Sequence, residues 1–132
     1  MRILQFLPFA NLAMHERVRL LVQAVRLDEE AMTKILGITH ISVRAILATG
    51  IPRGPHHYDQ LHRVDRLVYV IKYALRLTNY NMDKAAELWT AENYFWGYEP
   101  KPPWAKEGIH AFLLAGGPEK LKEVCEWIRQ YG

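Results

Sequence analysis

The side chains between Thr39 and Arg53 carry hydrogen-bonding groups of the kind that contact nucleic acid. Thr39, His40, Ser42 and Arg44 follow one another closely, and Arg53 lies beyond a short apolar run. Arginine can bind the O6 and N7 atoms of guanine with two parallel hydrogen bonds, and hydroxyl groups can bind a base edge or a phosphate. The residue types therefore fit a DNA-contacting surface, and they equally fit the polar exterior of a domain that contacts only proteins.

Positive charge is concentrated in the same part of the chain. The net charge is +3, from 17 basic and 14 acidic residues. Residues 1–58 hold 7 basic and 4 acidic residues, whereas residues 59–132 hold 10 of each, so the whole excess lies in the first part. Such a distribution can steer a domain toward phosphates, although a solvated surface would carry the same residues.

The apolar spacing around these polar residues predicts three short helices. Apolar residues recur every three or four positions over residues 14–25, which indicates one helix with a single buried face. A second helix is expected over Asp28–Leu36, with Asp28 as its cap, and Gly37 then suits a left-handed turn. Thr39 can cap a third helix, His40–Thr49.

The second and third of these helices have the residue spacing of a helix-turn-helix. Thr33 is small where the two helices would touch, and Gly37 follows four positions later at the turn. Val43 and Ile46 fall on the side of the third helix that must be buried. In this motif the second of the paired helices enters the major groove, and its N-terminal residues contact base edges. Those residues are Thr39, His40, Ser42 and Arg44, with Arg53 placed to contact the backbone.

The remainder of the chain predicts a helical bundle with an aromatic edge. Helices are expected over Asp59–Leu77, with Asp59 as the cap, and then over Met82–Trp89, Gly108–Ala115 and Glu119–Tyr131. Because no segment requires a strand, the predicted fold class is all-α. An aromatic cluster, Tyr94-Phe95-Trp96, lies between two of these helices and fits either core packing or a protein-binding surface.

Several functional classes lack their usual residues. The chain has no glycine-rich phosphate loop and no nucleophile with an evident base, so we expect a protein that is not an enzyme. We expect no cofactor and no metal, because the adjacent His56-His57 pair does not converge easily on one ion.

The cysteine content and the N-terminal segment bear on location. Cys125 is the only cysteine, which fits a reducing cytoplasm, and its apolar helix face predicts a buried, inert thiol. The apolar N-terminal segment is too short to cross a bilayer, so we expect no membrane insertion. We expect residues 1–12 to form an N-terminal arm.

Several sequence elements follow the helix-turn-helix pattern in a fixed order. They are R-x-x-R-L at 63–67, A-A-E-L-W at 85–89, Asn93, Gly97 and then F-L-L-A-G-G-P-E-K-L-K-E-V at 112–124. Together with the helix-turn-helix, they resemble the Xre/MbcA/ParS antitoxins, the partners of RES-domain toxins. The resemblance covers about residues 27–132. It implies an Xre-like helix-turn-helix domain over residues 13–58 and a small helical toxin-binding or dimerisation domain over residues 59–132.

The resemblance also implies what each part does. The C-terminal part would bind and block a RES-type toxin that consumes NAD, and the helix-turn-helix of a dimer or of a toxin–antitoxin complex would repress the operon. The implied toxin contacts are Trp96, Trp104, Trp127, Arg129, Gln130, Tyr131 and Gly132. A stand-alone helix-turn-helix repressor with a C-terminal dimerisation domain is the alternative, and a small enzyme is a third hypothesis.

Overall fold

The structure is a computed structural model that describes residues 11–132. This range contains seven α-helices and no strand, which confirms the predicted all-α class. The helices are α1 (Met14–Ala24), α2 (Glu29–Leu36), α3 (His40–Thr49), α4 (His57–Leu77), α5 (Met82–Thr90), α6 (Ile109–Gly116) and α7 (Pro118–Tyr131). The predicted arm over residues 1–12 lies outside the described residues except for Asn11 and Leu12.

The predicted caps of α2 and α3 are confirmed. The carboxylate of Asp28 accepts a hydrogen bond from the backbone N–H of Ala31 at 2.8 Å. The hydroxyl of Thr39 accepts one from the N–H of Ser42 at 3.1 Å. Gly37 ends α2 with φ of 65°, the left-handed conformation that glycine adopts at little cost. Local residue types therefore set the start of α2 and both ends of the turn between α2 and α3.

The predicted cap of α4 is wrong. α4 begins at His57, so Asp59 lies inside its first turn. The backbone N–H of His57 donates to the carbonyl of Gly54. A carboxylate in that position stabilises the helix through its charge near the positive end of the helix dipole. It also forms an ion pair with Arg63, one turn later, at 3.2 Å.

One hydrophobic core runs through all seven helices of the described range. α4 packs against α1, α2, α5 and α7, and α2 packs against α3, α4, α6 and α7. Buried residues of every helix belong to this core, for example Leu21, Ile35, Ile46, Ile71 and Leu121. Residues on both sides of the predicted domain boundary at residue 58 belong to this core.

The turn between α2 and α3 lies against α4 and the start of α7. The guanidinium of Arg63 donates to the carbonyl oxygens of Leu36 at 2.9 Å and Gly37 at 3.2 Å. These are carbonyls that the end of a helix leaves without an intrahelical partner. A Cβ atom on Gly37 would lie 2.7 Å from Cγ of Pro118. Residues far away in sequence therefore contact this turn in addition to the local residues that define its ends.

The segment between α5 and α6 is an irregular loop that is anchored by aromatic side chains. Phe95 and Trp104 are fully buried, and their ring centroids are 5.3 Å apart in a T-shaped arrangement. The N–H of Asn93 donates to the carbonyl of Lys106 at 3.0 Å, which closes the loop. Burial of two large rings compensates for the absence of regular hydrogen bonding in this segment.

Candidate functional site

The exposed face of α3 brings four of the predicted DNA-contacting residues together. The axes of α2 and α3 differ by 107°, and Val43 and Ile46 are buried beneath α3. The outward side carries Thr39, His40, Ser42 and Arg44 along its first turns; Ser42 is partly buried and the others are exposed. An exposed helix face with these groups can present hydrogen bonds to a second molecule.

Ile41 lies on this face and is not packed. The residue is 79% exposed, the highest value among the large apolar residues of the described range. Exposing an aliphatic side chain to water is unfavourable in free energy, but such a side chain can contact the methyl group of thymine in a major groove. Its position beside polar hydrogen-bonding residues is typical of a contact surface with mixed chemistry.

Thr39 and Ser42 are also engaged with each other. The hydroxyl of Thr39 donates to Oγ of Ser42 at 3.0 Å while it accepts from the Ser42 backbone N–H. The Thr39 hydroxyl therefore caps α3, and the Ser42 hydroxyl accepts its proton. A lone pair on Ser42 Oγ remains able to accept a hydrogen bond from a ligand.

Arg44 and His40 are held by a residue of α2 that the sequence did not reveal as part of the site. Nε of Arg44 donates to Oε1 of Glu29 at 2.8 Å, and Nδ1 of His40 lies 3.1 Å from the same oxygen. Glu29 is recognisable in the sequence only as an acidic residue in the first turn of a helix. Its contact with Arg44 depends on the angle between α2 and α3, which residue spacing does not give.

Arg53 stands apart from this group. It is exposed in the connector between α3 and α4, past the glycine that ends α3. Arg53 does not contact Thr39, His40, Ser42 or Arg44. Its exposed guanidinium is accessible to a ligand such as a phosphate group.

The end of α7 presents a second exposed group. Four residues at this end are exposed: Arg129, Gln130, Tyr131, which is 50% exposed, and Gly132. The ring centroid of Tyr131 lies 5.5 Å from that of Trp127, which is only partly exposed. A tyrosine and an arginine in this setting can contribute area and directed hydrogen bonds to a protein interface.

The structure corrects the prediction for Trp104. Its side chain is 0% exposed, with Trp127 at a centroid distance of 5.1 Å on one side and Phe95 on the other. A ring enclosed in this way stabilises the loop before α6 and cannot contact a partner. Isolated aromatic residues in a loop give no periodicity, so the sequence does not separate core from surface here.

Trp96 is the exposed tryptophan of the same loop. Its side chain is 52% exposed, and Nζ of Lys101 lies 3.7 Å from the ring centroid, a cation–π contact. Of the predicted aromatic contacts, Trp96 and Tyr131 are therefore the more accessible. Trp127 is partly enclosed, and its indole N–H is buried without a hydrogen-bond partner among residues 11–132.

The burial that the sequence predicts for the cysteine is confirmed. Cys125 is buried, and its thiol donates to the carbonyl of Arg66 at 3.4 Å. Burial raises the pKa of the thiol to about 11, an effect that exceeds the opposite influence of nearby Arg66 and Arg129. The nucleophilic thiolate is therefore scarce at neutral pH.

Two further features of residues 11–132 concern metal and membrane binding. Three or more His, Cys, Asp or Glu side chains do not come together there in a way that could hold a metal ion. No single helix in this range is long and apolar enough to cross a membrane; α2 and α3 reach that length and composition only as a pair bent by 107°.

Comparisons of the chain with protein-family models, with curated proteins and with solved structures found no significant match.

Proposed function

We propose that this protein is an antitoxin that binds and blocks a RES-type, NAD-consuming toxin and represses its own operon through α3. The resemblance described above supplies the class of partner. The observation that carries the proposal is the pairing of α2 with α3, which leaves a polar and cationic helix face exposed.

The geometry of α2 and α3 supports DNA recognition. Paired helices in DNA-binding helix-turn-helix motifs cross at about 90–120° around a short turn that often contains glycine. Here the angle is 107° and the turn is Gly37-Ile38-Thr39. The N-terminal half of α3, where this motif contacts bases, carries His40, Ile41 and Arg44 on its exposed side. A symmetric dimer would read a palindromic operator.

The exposed end of α7 supports toxin binding. Arg129, Gln130 and Tyr131 project from the last turn, where they are accessible to a partner. Tyrosine loses few rotamers on binding and buries a large area, so Tyr131 suits an interface anchor. Trp96 would extend the surface if the toxin also covers the loop between α5 and α6.

Co-expression with the adjacent open reading frame tests the toxin half. We expect a stable heteromeric complex in pull-down and light scattering, and growth arrest when the neighbouring gene is expressed alone. A homodimer that elutes alone, together with a harmless neighbour, would contradict the antitoxin assignment.

A stand-alone repressor is the second candidate, and the burial of Trp104 favours it. With Trp104 inside the core and Trp127 partly enclosed, the aromatic area available to a partner is smaller than the resemblance implies. This candidate requires sequence-specific DNA binding with a steep salt dependence and no toxin. Removal of Tyr131 and Gly132 would then leave its activity intact, whereas an antitoxin would lose neutralisation.

A further inference from the structure

One carboxylate oxygen of α2 fixes two side chains on the exposed face of α3. Oε1 of Glu29 accepts from Nε of Arg44 at 2.8 Å and lies 3.1 Å from Nδ1 of His40. His40 and Arg44 are four residues apart, so they lie one above the other on the same side of the helix. Glu29 is the first residue of α2, and its own side chain is about one-third exposed.

The contact leaves the outer edge of the Arg44 guanidinium available. Arg44 uses Nε for its contact with Glu29, which is its one polar contact within residues 11–132. The side chain remains 71% exposed. A guanidinium is planar and carries its donors in a rigid fork, so fixing Nε also fixes the direction of the two terminal amino groups. That edge supplies the two parallel N–H groups that bind O6 and N7 of guanine.

We propose that Glu29 is a positioning residue: it orients Arg44 so that Arg44 binds guanine and does not act as a general phosphate contact. This inference rests on the proposed DNA-binding function. An arginine without a partner on a basic surface binds any nearby phosphate, because that attraction does not depend on sequence. The carboxylate offsets part of the arginine charge and repels a phosphate that approaches the same place. Specificity arises here from an unfavourable contact with the wrong ligand as well as a favourable one with the right ligand.

His40 contributes to the same arrangement. When Nδ1 carries the ring proton it donates to Glu29, which leaves Nε2 as an acceptor on the outer side of the ring. Glu29 therefore sets the orientation of both side chains at once. A single substitution at Glu29 is expected to disturb base preference without removing any group that contacts DNA.

The test is a selection from a pool of duplexes with a randomised central segment, followed by sequencing of the bound fraction. The full chain is used as wild type, Glu29→Ala, Arg44→Ala and the double variant. Glu30→Ala is the matched control, because Glu30 is also an acidic first-turn residue of α2 but pairs with Lys34 at 3.5 Å. Circular dichroism and thermal melting of each variant establish that it is folded.

We expect the wild-type protein to enrich a motif with a guanine that Arg44→Ala no longer selects. Glu29→Ala should reduce the preference at that same position by roughly 10-fold, the scale of one bidentate base contact, and should leave the other positions unchanged. In the Arg44→Ala background, Glu29→Ala should have no further effect on that position. The salt dependence of Glu29→Ala should become steeper by about one phosphate contact, as Arg44 turns to the backbone.

The outcomes separate this inference from the function on which it rests. A wild-type protein that enriches no motif would overturn DNA reading by α3 and this inference with it. A motif that Glu29→Ala selects as strongly as the wild type does would overturn the positioning role and leave the proposed function standing. An equal loss of preference in Glu30→Ala would also overturn it, because the effect would then belong to the acidic helix start in general.

Discussion

The indole N–H of Trp89 donates a hydrogen bond to Nδ1 of His110 at 3.1 Å, which joins α5 to α6. Trp89 is fully buried, and its N–H needs an acceptor. His110 can supply one only while Nδ1 is unprotonated. Burial lowers the pKa of His110 below its ordinary value of 6.5, and the charge of Asp28 opposes this to a smaller extent. The neutral ring is therefore part of the folded structure.

We predict that acid weakens the fold through His110. Because the pKa of His110 is lower in the folded state, the unfolded chain takes up the proton first as the pH falls below 6.5. The free energy of unfolding should decrease from there until the pH passes the folded pKa. Urea unfolding at about pH 7.5 and about pH 5.5 measures this loss. His110→Gln, which keeps an acceptor but does not titrate, should lose less; an equal loss would contradict the prediction.

A second prediction concerns Gly37. An alanine there would hold a left-handed conformation and place its Cβ against Pro118. The left-handed backbone alone costs roughly 1–2 kcal/mol in a residue with a side chain. Gly37→Ala should therefore lower the free energy of unfolding by at least that amount in urea titrations. Gly97→Ala is the control, because nothing lies within 4 Å of its added Cβ, and a similar loss in both variants would refute the argument.

The two loop tryptophans should differ sharply when each is replaced by alanine. Trp104→Ala leaves a cavity beside Phe95 and Trp127 and should cost roughly 3–5 kcal/mol. Trp96→Ala removes an exposed ring and its contact with Lys101, for which we expect about 1 kcal/mol or less. Thermal melting of both variants measures the difference. Comparable losses would place Trp96 in the core as well.

The proposed DNA-binding function predicts that Arg44→Ala lowers affinity for an operator duplex by roughly 1–3 kcal/mol, as expected for loss of a base contact. Arg53→Ala provides the comparison, since a phosphate contact should weaken binding to all sequences about equally. Fluorescence anisotropy with operator and scrambled duplexes at fixed salt distinguishes the two effects. Unchanged operator binding by Arg44→Ala would remove Arg44 from the reading residues.

The proposed antitoxin function predicts that Tyr131→Ala weakens toxin neutralisation with little change in the melting temperature. Half of this side chain is exposed, so its loss removes contact area for a partner more than core packing. Co-expression with the toxin and a growth assay measure neutralisation. Tyr58→Ala, which alters an exposed tyrosine of α4, should neutralise normally. A large fall in melting temperature for Tyr131→Ala would instead make Tyr131 a core residue.

The sequence is informative here where structure is decided locally. Asp28, Gly37 and Thr39 mark the ends of α2 and α3 because their side chains or backbone freedom act within a few residues. The apolar spacing identifies Val43 and Ile46 as buried for the same reason.

The features that the sequence does not reveal depend on distant packing. Trp104 lies in a loop without periodicity, so its burial follows only from where Phe95 and Trp127 are placed. The ion pair between Glu29 and Arg44 follows from an interhelical angle. The hydrogen bond between Arg63 and Leu36 joins residues 27 apart in sequence. Residue types alone do not specify such long-range geometry.

The contact of the α2–α3 turn with Arg63 and Pro118 has a consequence for synthesis on the ribosome. Domains generally fold as units, and here the single core includes residues of α7. A nascent chain that has released only α1, α2 and α3 lacks the residues that hold the turn in place. The α3 face is therefore expected to reach its final form only after α7 has emerged from the ribosome.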